Sequence, residues 1–197
     1  MRVLPIAAAL LLATPALADT EAREAGLAAW DRIYEVASHP RCSNCHTGPS
    51  DRPMWSGPSY DKAYGGARPH GMNIRAGESR IGAGTLPCAT CHTTLSDSDA
   101  GNPTPHAAPR VADLWRLAPV EAHWFGQPST AICAQLRDPE RNGGRTVEEL
   151  AEHLGHDVIL HWAWEPGGGR EAAPYSLEEH TADLRAWGAA GTPCADD

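Results

Sequence analysis

Two features are scarce in this sequence: long hydrophobic runs and basic residues. A helix that spans the ~30 Å hydrocarbon core of a bilayer needs about 20 consecutive apolar residues, and the apolar run Val3 to Leu12 is far shorter. Lys and Arg number 16 against 25 Asp and Glu, which gives a net charge of −9. Proteins that bind nucleic acids need Lys and Arg to neutralise phosphates. The composition therefore argues against stable membrane insertion and against a nucleic-acid partner.

Strand signals are also nearly absent. Hardly any stretch alternates apolar and polar residues as a half-buried strand does. Two tracts, 49–84 and 96–109, are instead dense in Gly, Pro and Ser and show no sustained periodicity. Long loops are uncommon in compact domains unless they serve a function. The predicted fold is mostly α with long irregular loops. Its small helices are expected to pack around a bound group that orders those loops.

The clearest helix is predicted over residues 21–37. Apolar residues recur there at steps of three and four, which places them on one helical face. These residues are Leu27, Trp30, Ile33, Tyr34 and Ala37. Because the residue before a proline is disfavoured in the helical region, the helix is expected to end at His39-Pro40.

Three more helices are predicted in the C-terminal half. Ser129 is predicted to cap a short helix through Leu136. Capping boxes, in which Ser or Thr is followed three residues later by Glu, begin at Thr146 and Ser176. The first predicts a helix through about Trp162, with Val147, Leu150, Ala151, Leu154 and Val158 inward. The second predicts a last helix, with Leu177, Leu184 and Trp187 inward.

The N-terminal segment has the pattern of an export signal. Arg2 supplies the positive charge, Val3 to Leu12 the apolar region, and Ala16-Leu17-Ala18 the small-x-small cleavage site. Residues 1–18 are therefore predicted to be a cleaved signal peptide, with an uncleaved anchor as the alternative. Loss of Arg2 changes the charge from −9 to −10. We expect a periplasmic domain over residues 19–197, or two lobes over about 19–84 and 85–197.

Four of the six cysteines form two Cys-x-x-Cys-His motifs, Cys42–Cys45–His46 and Cys88–Cys91–His92. This spacing is that of c-type haem attachment. The two thiols form thioethers with the vinyl groups of one haem, and the adjoining histidine becomes the proximal iron ligand. The motifs therefore predict two covalently bound haem c groups, with His46 and His92 on the irons. The predicted fold is that of a dihaem cytochrome c, with its small helices packed around the two haems.

Other interpretations of these cysteines are weaker. Zinc ribbons place their cysteine pairs ~15–20 residues apart, a shorter spacing than here, and zinc would leave both histidines unexplained. Thioredoxin-like motifs need a βαβ setting. Disulfides within each motif would close awkwardly tight loops. The remaining pair, Cys133 and Cys194, is predicted to form a disulfide because such bonds persist in an oxidising compartment; two buried thiols are the alternative.

The distal iron ligands are open at this point. The candidates, in order of preference, are His70, His39, His106, Met72 and His153. Methionine opposite histidine raises the potential of a haem, and two histidines leave it lower. Arg52, Arg68 and Arg75 are candidates for pairing with haem propionates.

Six segments together resemble the small periplasmic dihaem proteins commonly labelled isoquinoline 1-oxidoreductase subunits. They are His39 to His46, Pro69 to Ile74, Cys88 to His92, Asp138 to Arg145, Trp162 to Gly167 and Gly191 to Cys194. The resemblance covers nearly all of the chain after residue 18. It implies a cytochrome that takes electrons from a molybdenum hydroxylase-type oxidoreductase, and it favours His39 and His70 as ligands.

The expected function is that of a periplasmic electron carrier, not an enzyme, with an upstream oxidoreductase and a downstream cytochrome or oxidase as partners. One alternative is a dihaem redox enzyme, peroxidase-like or thiosulfate-oxidising, with one open or unusually ligated haem. A thiolate from Cys133 or Cys194 on an iron would favour that alternative. Another is a haem-binding sensor or assembly module.

Overall fold

The computed structural model describes residues 15–92, 115–166 and 170–195. Within these ranges the chain is mostly helical with little strand, as the sequence predicts. The helices are α1 (Pro15–Ser38), α2 (Pro40–Ser43), α3 (Pro58–Tyr64), α4 (Ser129–Arg137), α5 (Val147–His156), α6 (Val158–His161) and α7 (Leu177–Ala189). Two-residue strands β1 (Met54–Trp55) and β2 (Arg68–Pro69) pair antiparallel, and 3-10 turns lie at Gly71–Asn73 and Cys88–Thr90. In the described part of the chain, no helix has the length and apolar character that a membrane span requires.

The predicted first helix is confirmed. It begins at Pro15, earlier than the predicted start, and ends at Ser38, directly before His39-Pro40. Trp30, Ile33 and Ala37 are buried. The predicted signal peptide lies largely outside the described residues, and its cleavage stays a prediction, as does the division into two lobes.

The core forms where α1 packs against α7 and α4, and α5 also packs against α7. At its centre the rings of Trp30 and Trp187 lie 5.2 Å apart. Trp30 Nε1 donates to Ser129 Oγ at 2.7 Å, and Trp187 Nε1 donates to the Pro193 carbonyl at 2.9 Å. Buried indoles are stable when the N–H finds an acceptor, so both tryptophans fill the core without an unpaired donor.

The predicted disulfide is present between Cys133 in α4 and Cys194 after α7. Their Cα atoms lie 6.0 Å apart, and both side chains are buried. The bond closes a loop with a sequence separation of 61 residues. It therefore fixes α4 to the chain segment that follows the last helix.

Both predicted capping boxes are confirmed, at Thr146–Glu149 and Ser176–Glu179. The helix from Thr146 is shorter than predicted, because the Asp157 side chain accepts a hydrogen bond from the Ile159 N–H and starts a new helix, α6. This break turns Val158 outward, where it is 56% exposed, so its predicted place on the inner face is wrong.

Two other local predictions need correction. The cap of α4 is Pro128, not Ser129, whose hydroxyl is instead the acceptor for Trp30. The tract 49–84 was predicted to be loop throughout, yet it contains α3, with Pro58 in its first turn and Gly65 in a left-handed conformation (φ 76°) at its end. The second Pro-rich tract, 96–109, lies outside the described residues.

Removal of the disulfide should be strongly destabilising. We expect the double variant Cys133→Ser/Cys194→Ser to lose about 4 kcal/mol of unfolding free energy, because the open chain gains loop entropy in its unfolded state. Urea unfolding followed by circular dichroism measures this. The matched control is Arg185→Gln, which removes the exposed Arg185–Glu148 pair and should change stability little. A loss below ~1 kcal/mol in the double variant would contradict the expectation.

The buried His180 should make stability depend on pH. The residue is 6% exposed, and burial lowers the pKa of His180 to about 4. The unfolded chain therefore binds the proton first as the pH falls below ~6.5, and stability should decline between about pH 6.5 and 4. The loss attributable to this group is roughly 3 kcal/mol.

Urea unfolding at pH 7, 5.5 and 4.5 compares wild type with His180→Leu. The variant should show a shallower loss on acidification, whereas His156→Gln, at an exposed position of α5, should follow wild type. Equal slopes in all three proteins would mean that His180 does not titrate in this range.

Candidate functional site

The first motif lies on a single helical turn. Pro40 is the first residue of α2, and the N–H groups of Cys45 and His46 both donate to the Cys42 carbonyl, at 3.1 and 3.2 Å. This turn places the two thiols on one side of the backbone with the imidazole following them. Cys42 and Cys45 are half-buried, and neither forms a disulfide. Burial raises the pKa of Cys42 to about 12 and that of Cys45 to about 11, so both remain neutral thiols.

The imidazole of His46 is held by stacking on one face and by a hydrogen bond at one nitrogen. Its ring stacks on Trp124 with centroids 3.5 Å apart and an interplanar angle of 4°. Its Nδ1 donates to the Ala122 carbonyl at 3.1 Å, since a carbonyl can only accept. Burial lowers the pKa of His46 to about 3. The neutral ring therefore carries its proton on Nδ1 and keeps a lone pair on Nε2, the arrangement typical of metal-ligating histidines.

Trp124 is itself fixed by α4. Its Nε1 donates to Gln135 Oε1 at 2.8 Å, and Gln135 Nε2 donates to the Arg141 carbonyl at 2.6 Å. Gln135 is only 1% exposed, and an unsatisfied amide at that depth would be costly. The orientation of His46 therefore depends on α4, the helix that the disulfide holds.

The second motif has the same backbone hydrogen bonds and the same stacking of its histidine on a tryptophan. The N–H groups of Cys91 and His92 donate to the Cys88 carbonyl at 3.2 and 3.0 Å. The ring of His92 stacks on Trp115, with centroids 4.5 Å apart and an interplanar angle of 5°. Each motif histidine thus lies flat on a tryptophan from a later part of the chain. No motif spacing in the sequence points to Trp115 and Trp124 as part of the site; the only signal for them is the excess of seven Trp over one Phe.

One cavity of about 320 Å³ lies between the two motifs. Cys45 of the first motif and Cys88, Cys91 and His92 of the second all line it. Cys45 and Cys88 are close enough for the charge of one thiolate to raise the pKa of the other thiol. The remaining wall is largely aromatic and includes Trp55, Tyr60, Trp115 and Trp162. The two motifs therefore open onto a shared apolar space.

His70 also lines this cavity and faces His92. The two ring centroids lie 6.3 Å apart with an interplanar angle of 55°. A metal–imidazole bond is about 2 Å long, and the ring centre lies about 1 Å beyond the nitrogen. Two imidazoles that bind one metal from both sides therefore have ring centres roughly 6 Å apart. The Nδ1 of His70 donates to the Gly71 carbonyl at 3.0 Å, which leaves Nε2 unprotonated. The geometry therefore suits ligation of one metal by both rings.

The other candidate ligands are placed less favourably. His39 caps α2, because its Nδ1 accepts from the Arg41 N–H at 3.3 Å; its neutral ring then carries the proton on Nε2 and has no lone pair left there. Met72 lines the cavity but is 81% exposed. His153 on α5 lies near enough to His46 for its charge to lower the pKa of that ring. His106 lies outside the described residues.

The residues at these motifs fit haem. Haem carries two carboxylates and a large apolar ring, so it calls for an aromatic pocket with polar donors. Trp162 Nε1 and Arg80 Nη2 are buried, and the described part of the chain offers neither of them an acceptor. Arg80 lies beside the first motif, where its charge partly opposes the rise in the pKa of Cys45 that burial causes and adds to the fall in the pKa of His46. No group of three or more His, Cys, Asp or Glu converges on a metal position anywhere in residues 15–92, 115–166 and 170–195.

The three arginines that the sequence suggested for propionates lie elsewhere. Arg75 pairs with Asp51 at 2.8 Å, Arg52 donates to Asn73, and Arg68 donates to the Tyr64 carbonyl. None of them lines the cavity, whereas Arg41 and Arg170 do.

No protein-family model matches this chain, and neither a curated protein nor a solved structure is significantly similar to it. The resemblance to dihaem subunits of isoquinoline 1-oxidoreductase type therefore stays a prediction based on the motifs themselves.

Proposed function

We propose that this protein is a dihaem c-type cytochrome that transfers electrons. The observation that carries the proposal is the shared cavity, lined by cysteines of both Cys-x-x-Cys-His turns and by the imidazole of the second. Each motif supplies two thiols without a disulfide and a histidine stacked on tryptophan. Haem supplies the one-electron chemistry, and the protein supplies ligation, a dry pocket and a docking surface.

The first haem is assigned to Cys42, Cys45 and His46. The Ala122 carbonyl and Trp124 hold the imidazole with Nε2 unprotonated. Such a partner on the remote nitrogen fixes the tautomer and increases the basicity of a metal-ligating histidine. Of the candidate distal ligands, His153 is the one whose charge acts on His46, where it adds to the lowering of the pKa by burial.

The second haem is assigned to Cys88, Cys91 and His92, with His70 as its distal ligand. The 6.3 Å separation of the two rings supports ligation by two histidines. The hydrogen bond from His70 Nδ1 to Gly71 supports the required tautomer. Two histidines give a lower potential than histidine and methionine, so this haem is the lower-potential type.

Electron exchange between the haems is supported by the proximity of Cys45 and Cys88 on one cavity wall. The net charge of −9 suits steered encounter with a basic patch on a redox partner. In line with the resemblance, we propose a molybdenum hydroxylase-type oxidoreductase as donor and a cytochrome or oxidase as acceptor, with both proteins in the periplasm.

The enzymatic alternative loses one of its supports. A thiolate from Cys133 or Cys194 on an iron would indicate a thiosulfate-oxidising enzyme, but these two residues are bonded to each other. A peroxidase-like haem would need an open iron, which carbon monoxide binding detects.

Haem attachment tests the proposal directly. Wild type expressed with a periplasmic c-type maturation system should carry two covalent haems by intact mass and by its pyridine haemochrome spectrum. The variants Cys42→Ser/Cys45→Ser and Cys88→Ser/Cys91→Ser should each carry one, because each motif attaches its own haem. The disulfide variant Cys133→Ser/Cys194→Ser is the cysteine-matched control and should keep two. A wild-type protein without covalent haem would refute the function.

Replacing His70 should leave the distal coordination position of one haem iron vacant. We expect ferrous His70→Ala to bind carbon monoxide at one haem per protein, with wild type binding much less, because the distal position has lost its imidazole. His39→Ala is the matched control and should behave as wild type, since the Nδ1 of His39 caps α2. Carbon monoxide binding by wild type at both haems would favour the enzymatic alternative, and a silent His70→Ala would reject His70 as a ligand.

A further inference from the structure

One corner of the cavity carries two arginines close to a tryptophan. The guanidinium carbon of Arg41 lies 4.9 Å from the ring centre of Trp162, and that of Arg170 lies 6.0 Å from it. All three side chains line the cavity. Arg170 is 9% exposed and Arg41 is half-buried. Two positive charges therefore share a poorly hydrated wall.

Both guanidinium groups are held in place by backbone carbonyls. Arg41 Nε donates to the Glu171 carbonyl at 2.6 Å, and Arg170 Nη1 donates to the Pro166 carbonyl at 2.8 Å. The positive charges are near enough for Arg170 to lower the pKa of Arg41, after the larger effect of burial. Glu171 lines the same cavity and offsets one charge. These contacts hold both guanidinium groups in place at the cavity wall.

Trp162 contributes a hydrogen-bond donor at the same place. Its Nε1 is buried, and the described residues provide no acceptor for it. Its ring meets Trp115 edge-on at 5.9 Å, and Trp115 in turn stacks on His92. The corner is thus joined through aromatic contacts to the histidine of the second motif.

We propose that Arg41, Trp162 and Arg170 bind a propionate carboxylate of the haem attached at Cys88 and Cys91, and that their charge raises the reduction potential of this haem. The inference rests on the proposed function. Arginine suits the role because its planar fork matches a carboxylate. The indole N–H supplies a further donor to the same carboxylate.

The effect on potential follows from charge. The ferric haem carries one more positive charge than the ferrous haem, so nearby guanidinium groups favour reduction. Removing one of them leaves the propionate less neutralised and favours the ferric form. At a partly buried site one unit charge is worth about a factor of ten in such an equilibrium.

The test is a spectroelectrochemical titration of the mature dihaem protein. Arg170→Gln and Arg41→Gln should each lower the reduction equilibrium constant of one haem about tenfold, which is about 59 mV for a one-electron couple. The other haem should change less. Arg170→Lys, which keeps the charge, should recover most of the potential. Arg68→Gln, which removes an exposed guanidinium outside the cavity, should leave both potentials unchanged.

The outcomes separate this inference from the proposed function. If the Gln variants carry two covalent haems with wild-type potentials, the propionate site is refuted and the cytochrome stands. If Arg170→Gln fails to mature, Arg41→Gln decides in the same way, since that residue is less buried. A wild-type potential that shifts with added inorganic phosphate would also refute the inference, because it would show that the corner binds a free anion.

Discussion

Backbone carbonyls accept the Nδ1 proton of His46 and of His70, and the chemistry of both rings depends on these two hydrogen bonds. They determine which nitrogen retains a lone pair, and so which nitrogen can bind a metal. His39 shows the reverse case, since its Nδ1 accepts a hydrogen bond from the backbone. The backbone groups around these histidines thus hold His46 and His70 in one tautomer and His39 in the other.

The tryptophans connect this local chemistry to the helical core. Trp124 is held by Gln135 in α4, and α4 carries Cys133 of the disulfide. Trp115 is held between His92 and the edge of Trp162. The first motif is therefore supported by the helices and the disulfide, whereas the second is supported by aromatic residues around the cavity.

Local signals in the sequence predicted those parts of the structure that local physics determines. The face of α1, its end before Pro40, both capping boxes and the Cys133–Cys194 pair are of this kind. The break at Asp157 was missed because a competing side-chain cap outweighs the apolar period there. The stacking of His46 on Trp124 and the approach of His70 to His92 join distant segments, and no spacing rule reveals such contacts. For the same reason the sequence did not single out Arg41 and Arg170, which line the cavity from two separate segments, and the pairing of Arg52, Arg68 and Arg75 with propionates stays a prediction.

The packing of α1 against α7 also affects how the chain folds. Trp30 and Trp187 meet at the centre of the core although they lie far apart in sequence. Contacts of high sequence separation close slowly, because a long loop must first lose its entropy. The core therefore forms only after α7 has been made, and both Cys-x-x-Cys-His segments remain accessible in the still-open chain. For the proposed cytochrome, late closure of this helix pair would leave an attachment enzyme time to act on the open chain.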